Sequence, residues 1–96
     1  MVIGICKLVL RLPENHSLKG KRQVTKSIIA KVRSKFNVAV AEVDGSDLWQ
    51  MATLGVVAVT NDAKLSHQIL SSVVSFIQHN LGDAEMVDYE TEVLRV

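Results

Sequence analysis

The hydrophobic pattern of this 96-residue chain changes between two periods. Residues 2–12 alternate with a period of two, which predicts a β-strand with one buried face. Ser17 can cap a helix that runs to about Phe36, because apolar residues then recur at helical spacing. The pattern further predicts strands over 37–44 and 49–60, a second helix that begins at Asn61 or Asp62 and closes at Leu81-Gly82, and a last strand from Ala84 onward.

This order of elements, βαββαβ, is typical of the ferredoxin-like α+β sandwich. Right-handed crossovers then give a four-stranded antiparallel sheet in the order 4-1-3-2 with both helices on one face. The length allows a single domain over residues 1–96, and a chain that is 48% hydrophobic is expected to fold rather than stay disordered. Lys7 and Arg11 interrupt the N-terminal apolar run, so we expect a cytoplasmic protein without membrane contact.

The net charge of +1 conceals two halves of opposite charge. Residues 1–41 hold nine Lys and Arg against one acid, whereas residues 42–96 hold nine acids against two bases. Seven of the bases lie on the first predicted helix, which carries no acid. Four of them fall within an arc of about 60° at 100° per residue. These four residues, here called the basic stripe, are Lys19, Arg22, Lys26 and Arg33.

A stripe of cations on one helix can follow a phosphate backbone and gives salt-sensitive, sequence-independent affinity. We therefore predict RNA or a ribosomal subunit as the partner. His16 and Lys21 would add contacts at the start of the helix, and Trp49 and Gln50 would add stacking or hydrogen bonds. The alternative is a solvated helix face whose cations only favour solubility.

The helix-free face of the predicted sheet supports a second hypothesis. Ile3, Ile5 and Val9 lie there, and an exposed apolar patch of this kind is often an oligomer interface. The alternative function is therefore a homo-oligomeric, for example homodimeric, interaction module or a small-ligand-binding module. On the same face, Lys7 and Arg11 are expected to form cross-strand pairs with the acids of the last strand, which are Asp88, Glu90 and Glu92.

The sequence lacks a Gly-rich phosphate loop and any paired-carboxylate or Ser/His/Asp spacing. We therefore predict no enzymatic activity, no cofactor and no metal. Glu42, Asp44 and Asp47 are expected to organise a turn, with a cation site as the alternative. An enzymatic function would require a cleft in which one of these acids meets His16.

The remaining chemistry-bearing side chains are assigned to the interior. The single cysteine, Cys6, lies on the buried side of the first strand and is expected to be an inert thiol, and it excludes an intramolecular disulfide. Phe36, Phe76 and Tyr89 are expected in the core, whereas Trp49 lies beside the acidic turn.

Several segments in the first two thirds of the chain resemble the YlxP family of small bacterial proteins. These segments are 16–22, 35–38, 41–44 and 47–50, whose sequences are HSLKGKR, KFNV, AEVD and DLWQ. The resemblance covers about residues 2–61 and implies a ferredoxin-like fold. The function of the family is unknown, but its genes commonly lie among those for transcription elongation, translation initiation and ribosome maturation, which implies RNA or ribosomal partners. Gly20 departs from the family, in which many members carry Glu, and Gly45 and Met51 stand where His and Arg are common.

Overall fold

A computed structural model describes residues 1–45 and 47–96 of the chain. Its elements, in order, are β1 (Val2–Arg11), α1 (Leu18–Lys35), β2 (Ala39–Asp44), β3 (Met51–Thr60), α2 (Ala63–Gln78) and β4 (Glu85–Arg95). The four strands form one antiparallel sheet in the order β2-β3-β1-β4, which is the predicted order read from the opposite edge. The predicted ferredoxin-like α+β fold is therefore confirmed.

The core lies between the sheet and the two helices. Alternate residues of β1 are buried there, among them Cys6, Leu8 and Leu10, and their direct partners on β3 are buried with them. Ile28 and Val32 of α1 and Leu70, Val73 and Ile77 of α2 complete the cluster. Each such side chain contributes about 1.5–3 kcal/mol by leaving water, so this layer fixes both helices on one face of the sheet.

Both helices begin at the predicted caps. The Ser17 side chain accepts a hydrogen bond from the backbone N–H of Gly20 (3.0 Å), and Asp62 Oδ1 accepts one from Lys64 (3.0 Å). The end of α1 is also as predicted, with Phe36 as its C-cap. α2 ends earlier than predicted, at Gln78, because the next residues leave the helix and the Asn80 side chain donates to the Phe76 carbonyl (2.7 Å). Gly82, with φ of 59°, lies in the turn that follows.

The hairpin strands β2 and β3 each begin two residues later than predicted. The turn between them contains Gly45, whose φ of 73° favours glycine, and Ser46, which lies outside the described residues. Two register shifts were not predicted. One lies between Glu42 and Asp44, and the other leaves Val87 of β4 without a partner on β1.

The aromatic assignments are right for two residues and wrong for one. Phe36 and Phe76 form an edge-to-face pair with ring centroids 5.6 Å apart, packed against the core. Tyr89 is 49% exposed, because β4 is an edge strand that the helices cover only in part. Neither helix is long and apolar enough to cross a membrane, as far as the described chain shows.

Candidate functional site

The basic stripe lies on the outer flank of α1, the helix that packs on β2. The opposite, buried side of α1 is formed by Lys21, Thr25, Ile28 and Val32. Lys19, Arg22 and Lys26 are exposed. Within residues 1–45 and 47–96, no carboxylate forms an ion pair with any of these three side chains. Three cations therefore face solvent together from one side of the molecule.

Arg33, the fourth cation of the stripe, already makes one hydrogen bond within the protein. Its Nη2 donates a hydrogen bond to the carbonyl of Val40 (2.9 Å) on the edge strand β2. This bond ties the second half of α1 to the sheet. The residue as a whole is still exposed, so the rest of its guanidinium can contact a ligand.

Lys21 does not belong to the exposed cations, and its prediction as a nucleic-acid contact is wrong. The residue is completely buried. Its ammonium lies 3.1 Å from Glu42 Oε2 and donates to the carbonyls of Gly45 (2.6 Å) and Met51 (3.2 Å). A charge is tolerated in the interior only with such partners, so Lys21 fastens α1 to the β2–β3 hairpin and cannot reach a phosphate.

A signal for this buried ammonium was present in the sequence. Lys21 precedes Thr25 by four residues and Ile28 by seven, the spacing at which side chains share one face of a helix. Its partner Glu42 stands opposite the buried Leu54 on β3, and directly paired residues share a sheet face. The burial of Lys21 thus follows from its angular position on α1, whereas its charge alone suggested an exposed side chain.

Asn15 holds the two loops beside the start of α1 together. Its Nδ2 donates to the carbonyl of Ser17 (2.6 Å) and to the carbonyl of Trp49. Trp49 is 56% exposed and His16 is also exposed, so both are placed next to the first turn of the helix, where Lys19 lies. The structure therefore brings His16, Lys19 and Trp49 to one end of the stripe.

Gln50 is engaged in this loop contact. Its Nε2 donates to the carbonyl of Asn15 (3.2 Å) and approaches that of Pro13 (3.4 Å). Its own carbonyl accepts a hydrogen bond from the N–H of Leu12 (2.8 Å). Gln50 therefore joins the β1–α1 loop to the hairpin, and the donor that sequence analysis assigned to RNA is already used.

The absence of a side chain at Gly20 is explained by a close contact that the sequence did not show. A Cβ atom at this position would overlap the side-chain oxygen of Asn15, which lies over the first turn of α1. The small residue therefore leaves room for the Asn15 bridge between the helix and Trp49. With Asn15 in this position, any side chain at residue 20 would displace it.

The acidic turn is not assembled around a common centre. Glu42 points inward to Lys21, whereas Asp44 Oδ1 accepts a hydrogen bond from the N–H of Gly45 (2.8 Å) and Asp47 is exposed. In the described part of the chain, no three His, Cys, Asp or Glu side chains come together as around a metal ion. A cleft of about 440 Å³ lies between α1 and the α2–β4 turn, and neither His16 nor the acidic turn lines it.

The open face of the sheet carries a partly covered apolar patch. Ile3, Ile5 and Val9 are half-buried rather than fully exposed, because their neighbours on β3 and β4 shield them. Val57 is 36% and Val59 66% exposed on the same face. The patch is therefore wider than the sequence analysis predicted.

The charges on this face pair differently from the prediction. Arg11 forms an ion pair with Glu85 (3.0 Å), and both side chains are 54% exposed. Such exposed pairs contribute about 0–1 kcal/mol. Lys7 stands opposite Glu90 in the strand register, but no ion pair joins them among the residues described here. Asp88, Glu90 and Glu92 thus keep their charges open to solvent.

Comparison with known proteins relates the chain to an uncharacterised family. A family model described as "Protein of unknown function (DUF503)" matches residues 3–91. The uncharacterized protein YlxP of Bacillus subtilis (strain 168) is 34% identical over 76 residues, which cover 79% of this chain and 83% of that protein.

Two solved structures are similar to the chain at the level of the fold. A C-terminal segment of the alpha subunit of aIF2 from Pyrococcus abyssi has a TM-score of 0.53 at 13% identity, covering 99% of this chain and 51% of that one. LarC2, the C-terminal domain of a cyclometallase involved in the synthesis of the NPN cofactor of lactate racemase, has a TM-score of 0.51 at 10% identity, covering 100% and 57%. The chain spans about half the length of each. On the match over residues 3–91, together with its similarity to YlxP, the chain belongs to the DUF503 family of proteins of unknown function.

Proposed function

We propose that this protein is a non-enzymatic, RNA- or ribosome-associated factor of the cytoplasm that binds phosphates through α1. One observation carries the proposal. Lys19, Arg22 and Lys26 project from one flank of the helix, and no described carboxylate quenches them. Arg33 extends the same row toward the end of the helix with the part of its guanidinium that Val40 leaves free.

The energetics favour a bound anion along this row. Arg22 and Lys26 are like charges at i, i+4, which destabilise a helix by a few tenths of a kcal/mol unless a counter-charge lies between them. A phosphate backbone supplies regularly spaced negative charges and releases its counterions when it is neutralised. Contact of this kind gives affinity without base specificity.

The exposed indole of Trp49 favours RNA with unpaired bases as the partner. The Asn15 bridge holds the backbone of Trp49 beside the start of α1, the end of the stripe at which Lys19 lies, and the ring itself is exposed. Unpaired bases stack on such a ring while the phosphates of the same strand contact nearby cations. A structured RNA with an exposed loop, as in ribosomal RNA, offers both groups together.

The test is titration of a labelled RNA hairpin with a mixed-sequence loop, and of purified ribosomal subunits, at two salt concentrations. Three neutralised phosphates predict a 20- to 40-fold loss of affinity between about 50 mM and about 200 mM salt. The variant Arg22→Glu/Lys26→Glu removes two of these contacts and adds repulsion, so we expect at least about tenfold weaker binding.

The matched control is Lys31→Glu/Lys64→Glu, which changes the net charge equally at exposed positions outside the stripe. It should reduce affinity no more than about threefold, since only the general field changes. Equal losses in the two double variants, or unchanged affinity of the stripe variant, would refute the role of the stripe.

A second candidate function is a homo-oligomeric module built on the open sheet face. Val57 and Val59 are exposed beside the half-buried Ile5 and Ile3, their direct partners in the sheet register, and Val9 lies on the same face beyond Lys7. Light scattering over a concentration series tests this candidate directly. A dimer that Val59→Glu dissociates supports it, and a monomer at high micromolar concentration removes it.

A further inference from the structure

The outer edge of β4 combines two features that the proposed RNA contact does not use. β4 is an edge strand of eleven residues that pairs only with β1 in the described sheet. An edge strand presents a row of free backbone N–H and C=O groups to any chain that can align with it. The two faces of β4 then decide what kind of chain fits.

The face of β4 that looks away from the helices is acidic. Asp88, Glu90 and Glu92 lie opposite Val9, Lys7 and Ile5 of β1, which places all three carboxylates on the open face. Residues two apart along a strand are about 6.8 Å apart. All three residues are exposed, and no described cation forms an ion pair with them. If another strand paired with β4, every second side chain of that strand would lie beside this row of carboxylates.

The helix-facing side of β4 opens into a groove. Tyr89 and Thr91, the partners of the buried Leu8 and Cys6, form one wall of a cleft of about 400 Å³. Ser71, Ser75 and Gln78 of α2 line the other side, with Leu70 and Val74 at the base. The alternate side chains of an added strand would enter this groove between α2 and β4.

From this placement we propose that β4 binds an extended basic peptide segment of another protein by strand addition. Lysine or arginine at every second position of the segment would pair with Asp88, Glu90 and Glu92. Small or β-branched residues between them would occupy the α2–β4 groove. Backbone hydrogen bonds to β4 supply affinity, and the two alternating faces supply specificity.

The charges on the chain exclude a second copy of itself as the added strand. Antiparallel pairing of two β4 strands would bring their acidic rows together, and like charges directly opposite destabilise a sheet. The other edge strand, β2, is short and has no Lys or Arg, and its open-face residues include Ala39, Ala41 and Asp44. Neither edge of one molecule complements β4 of another, so the partner must bring its own cations.

The probe is a fluorescein-labelled synthetic peptide of sequence KVKTKVK, titrated by anisotropy. An acidic analogue, EVETEVE, and a peptide of equal composition with all lysines in one block are the comparisons. We expect the alternating basic peptide to bind at least tenfold more tightly than the block peptide and the acidic analogue not to bind. If neither basic peptide binds, the acidic row serves only to keep the edge unpaired, and the proposal is wrong.

Two further measurements separate strand addition from simple charge attraction. N-methylation of one alternate set of peptide amides should abolish binding, whereas methylation of the other set should leave it, because only one set points at β4. Amide hydrogen exchange along β4 should slow when the peptide is bound. Equal binding of the two methylated peptides, or unchanged exchange, would overturn the proposal.

Protein variants complete the test. Glu90→Lys/Glu92→Lys should weaken binding of KVKTKVK at least tenfold, and Ser71→Phe should weaken it by filling the groove from an exposed helix position. Glu14→Lys/Asp47→Lys gives the same charge change at exposed positions in the β1–α1 loop and the β2–β3 turn and should leave binding nearly unchanged. Equal losses in the two charge variants would contradict a site on β4. None of these readouts involves RNA, so they succeed or fail independently of the basic stripe.

Discussion

Lys21 and Glu42 form an ion pair of 3.1 Å between α1 and β2, with the Lys21 side chain fully buried and the Glu42 side chain 19% exposed. The same ammonium donates to two carbonyls in the turn of the β2–β3 hairpin. The hairpin carries Trp49, so this pair positions the aromatic side chain of the proposed RNA site relative to the helix that carries the cations.

The first prediction concerns the stability that this pair supplies. Lys21→Met leaves Glu42 without its cation and two carbonyls without a donor, so we expect a loss of about 3 kcal/mol in the free energy of unfolding. Adding Glu42→Met should recover part of the loss, because an apolar pair replaces an isolated carboxylate. Urea denaturation measures both.

The control for this experiment is Lys31→Met on the exposed side of α1. It should change the free energy of unfolding by no more than about 0.5 kcal/mol. A Lys21→Met protein as stable as the control would show that the buried ammonium contributes nothing net.

The second prediction concerns the space above Gly20. In the wild-type chain, Gly20→Ala displaces the Asn15 side chain and loses about two hydrogen bonds, each worth about 1 kcal/mol, against a helix-propensity gain of about 0.5–1 kcal/mol. The net expectation is a destabilisation of about 1 kcal/mol. When Asn15→Ala is already present, only the Ser17 hydroxyl, 3.2 Å from the added Cβ, has to adjust, so the same substitution should stabilise by up to about 0.5–1 kcal/mol.

A double-mutant cycle by thermal or urea unfolding measures this reversal of sign. If Gly20→Ala has the same effect in both backgrounds, Asn15 does not limit the space at Gly20. The exposed position Ser27 on the same helix gives a reference, since Ser27→Ala meets no such obstacle.

The third prediction concerns Cys6. Burial raises the pKa of the Cys6 thiol to about 11. The folded protein therefore keeps the thiol protonated where the unfolded chain has begun to ionise, and the unfolded state binds fewer protons at high pH. By linkage, the free energy of unfolding should fall as the pH rises from the ordinary thiol pKa near 8.5 toward 11.

Reaction with a thiol-specific reagent at neutral pH tests the burial directly. We expect modification only at the rate of unfolding, and rapid modification in denaturant. In a Cys6→Ser variant, the free energy of unfolding should lack the part of the decline at alkaline pH that the thiol causes. If the free energy of unfolding declines identically in the variant and the wild type, the decline is caused by other groups.

The fourth prediction uses Trp49, the single tryptophan of the chain, as a reporter. Because its side chain is 56% exposed, acrylamide should quench its fluorescence almost as efficiently as that of a free indole. Saturation with the RNA hairpin should protect it if a base stacks on the ring. Trp49→Ala should then weaken RNA binding about 5- to 150-fold, the equivalent of about 1–3 kcal/mol per stacked base.

If acrylamide quenches Trp49 equally well at saturating RNA, no base stacks on its ring. That result would leave the proposed phosphate contacts unaffected. The salt dependence and the stripe variants would then be the measure of the remaining interface.

The sequence predicted the fold well because each element carried its own signal. The alternation of β1 and the caps Ser17 and Asp62 are local features, and they placed strand and helix starts to within two residues. The early end of α2 was missed because it depends on the Asn80 side chain bonding back to Phe76. The bulge at Val87 was missed because it depends on pairing between distant strands.

The candidate site was predicted less completely, for a physical reason. Charge is visible in a sequence, but whether an ammonium finds a carboxylate in the interior depends on which strand lies beneath its helix. Lys19 and Lys21 are two residues apart, yet one is exposed and the other is completely buried. Gln50 and Asn15 were likewise hidden, since their partners are backbone carbonyls of other loops.

The strand order has an electrical consequence. α1 carries its cations over β2 at one margin of the sheet, and β4 carries its carboxylates at the other. A molecule with almost no net charge therefore carries a cationic surface and an anionic surface at opposite margins, and within about a Debye length a polyanion attracts the first and repels the second. The protein would therefore approach an RNA with α1 oriented toward it. The β4 margin would face away from the RNA and stay free to bind a second, cationic protein.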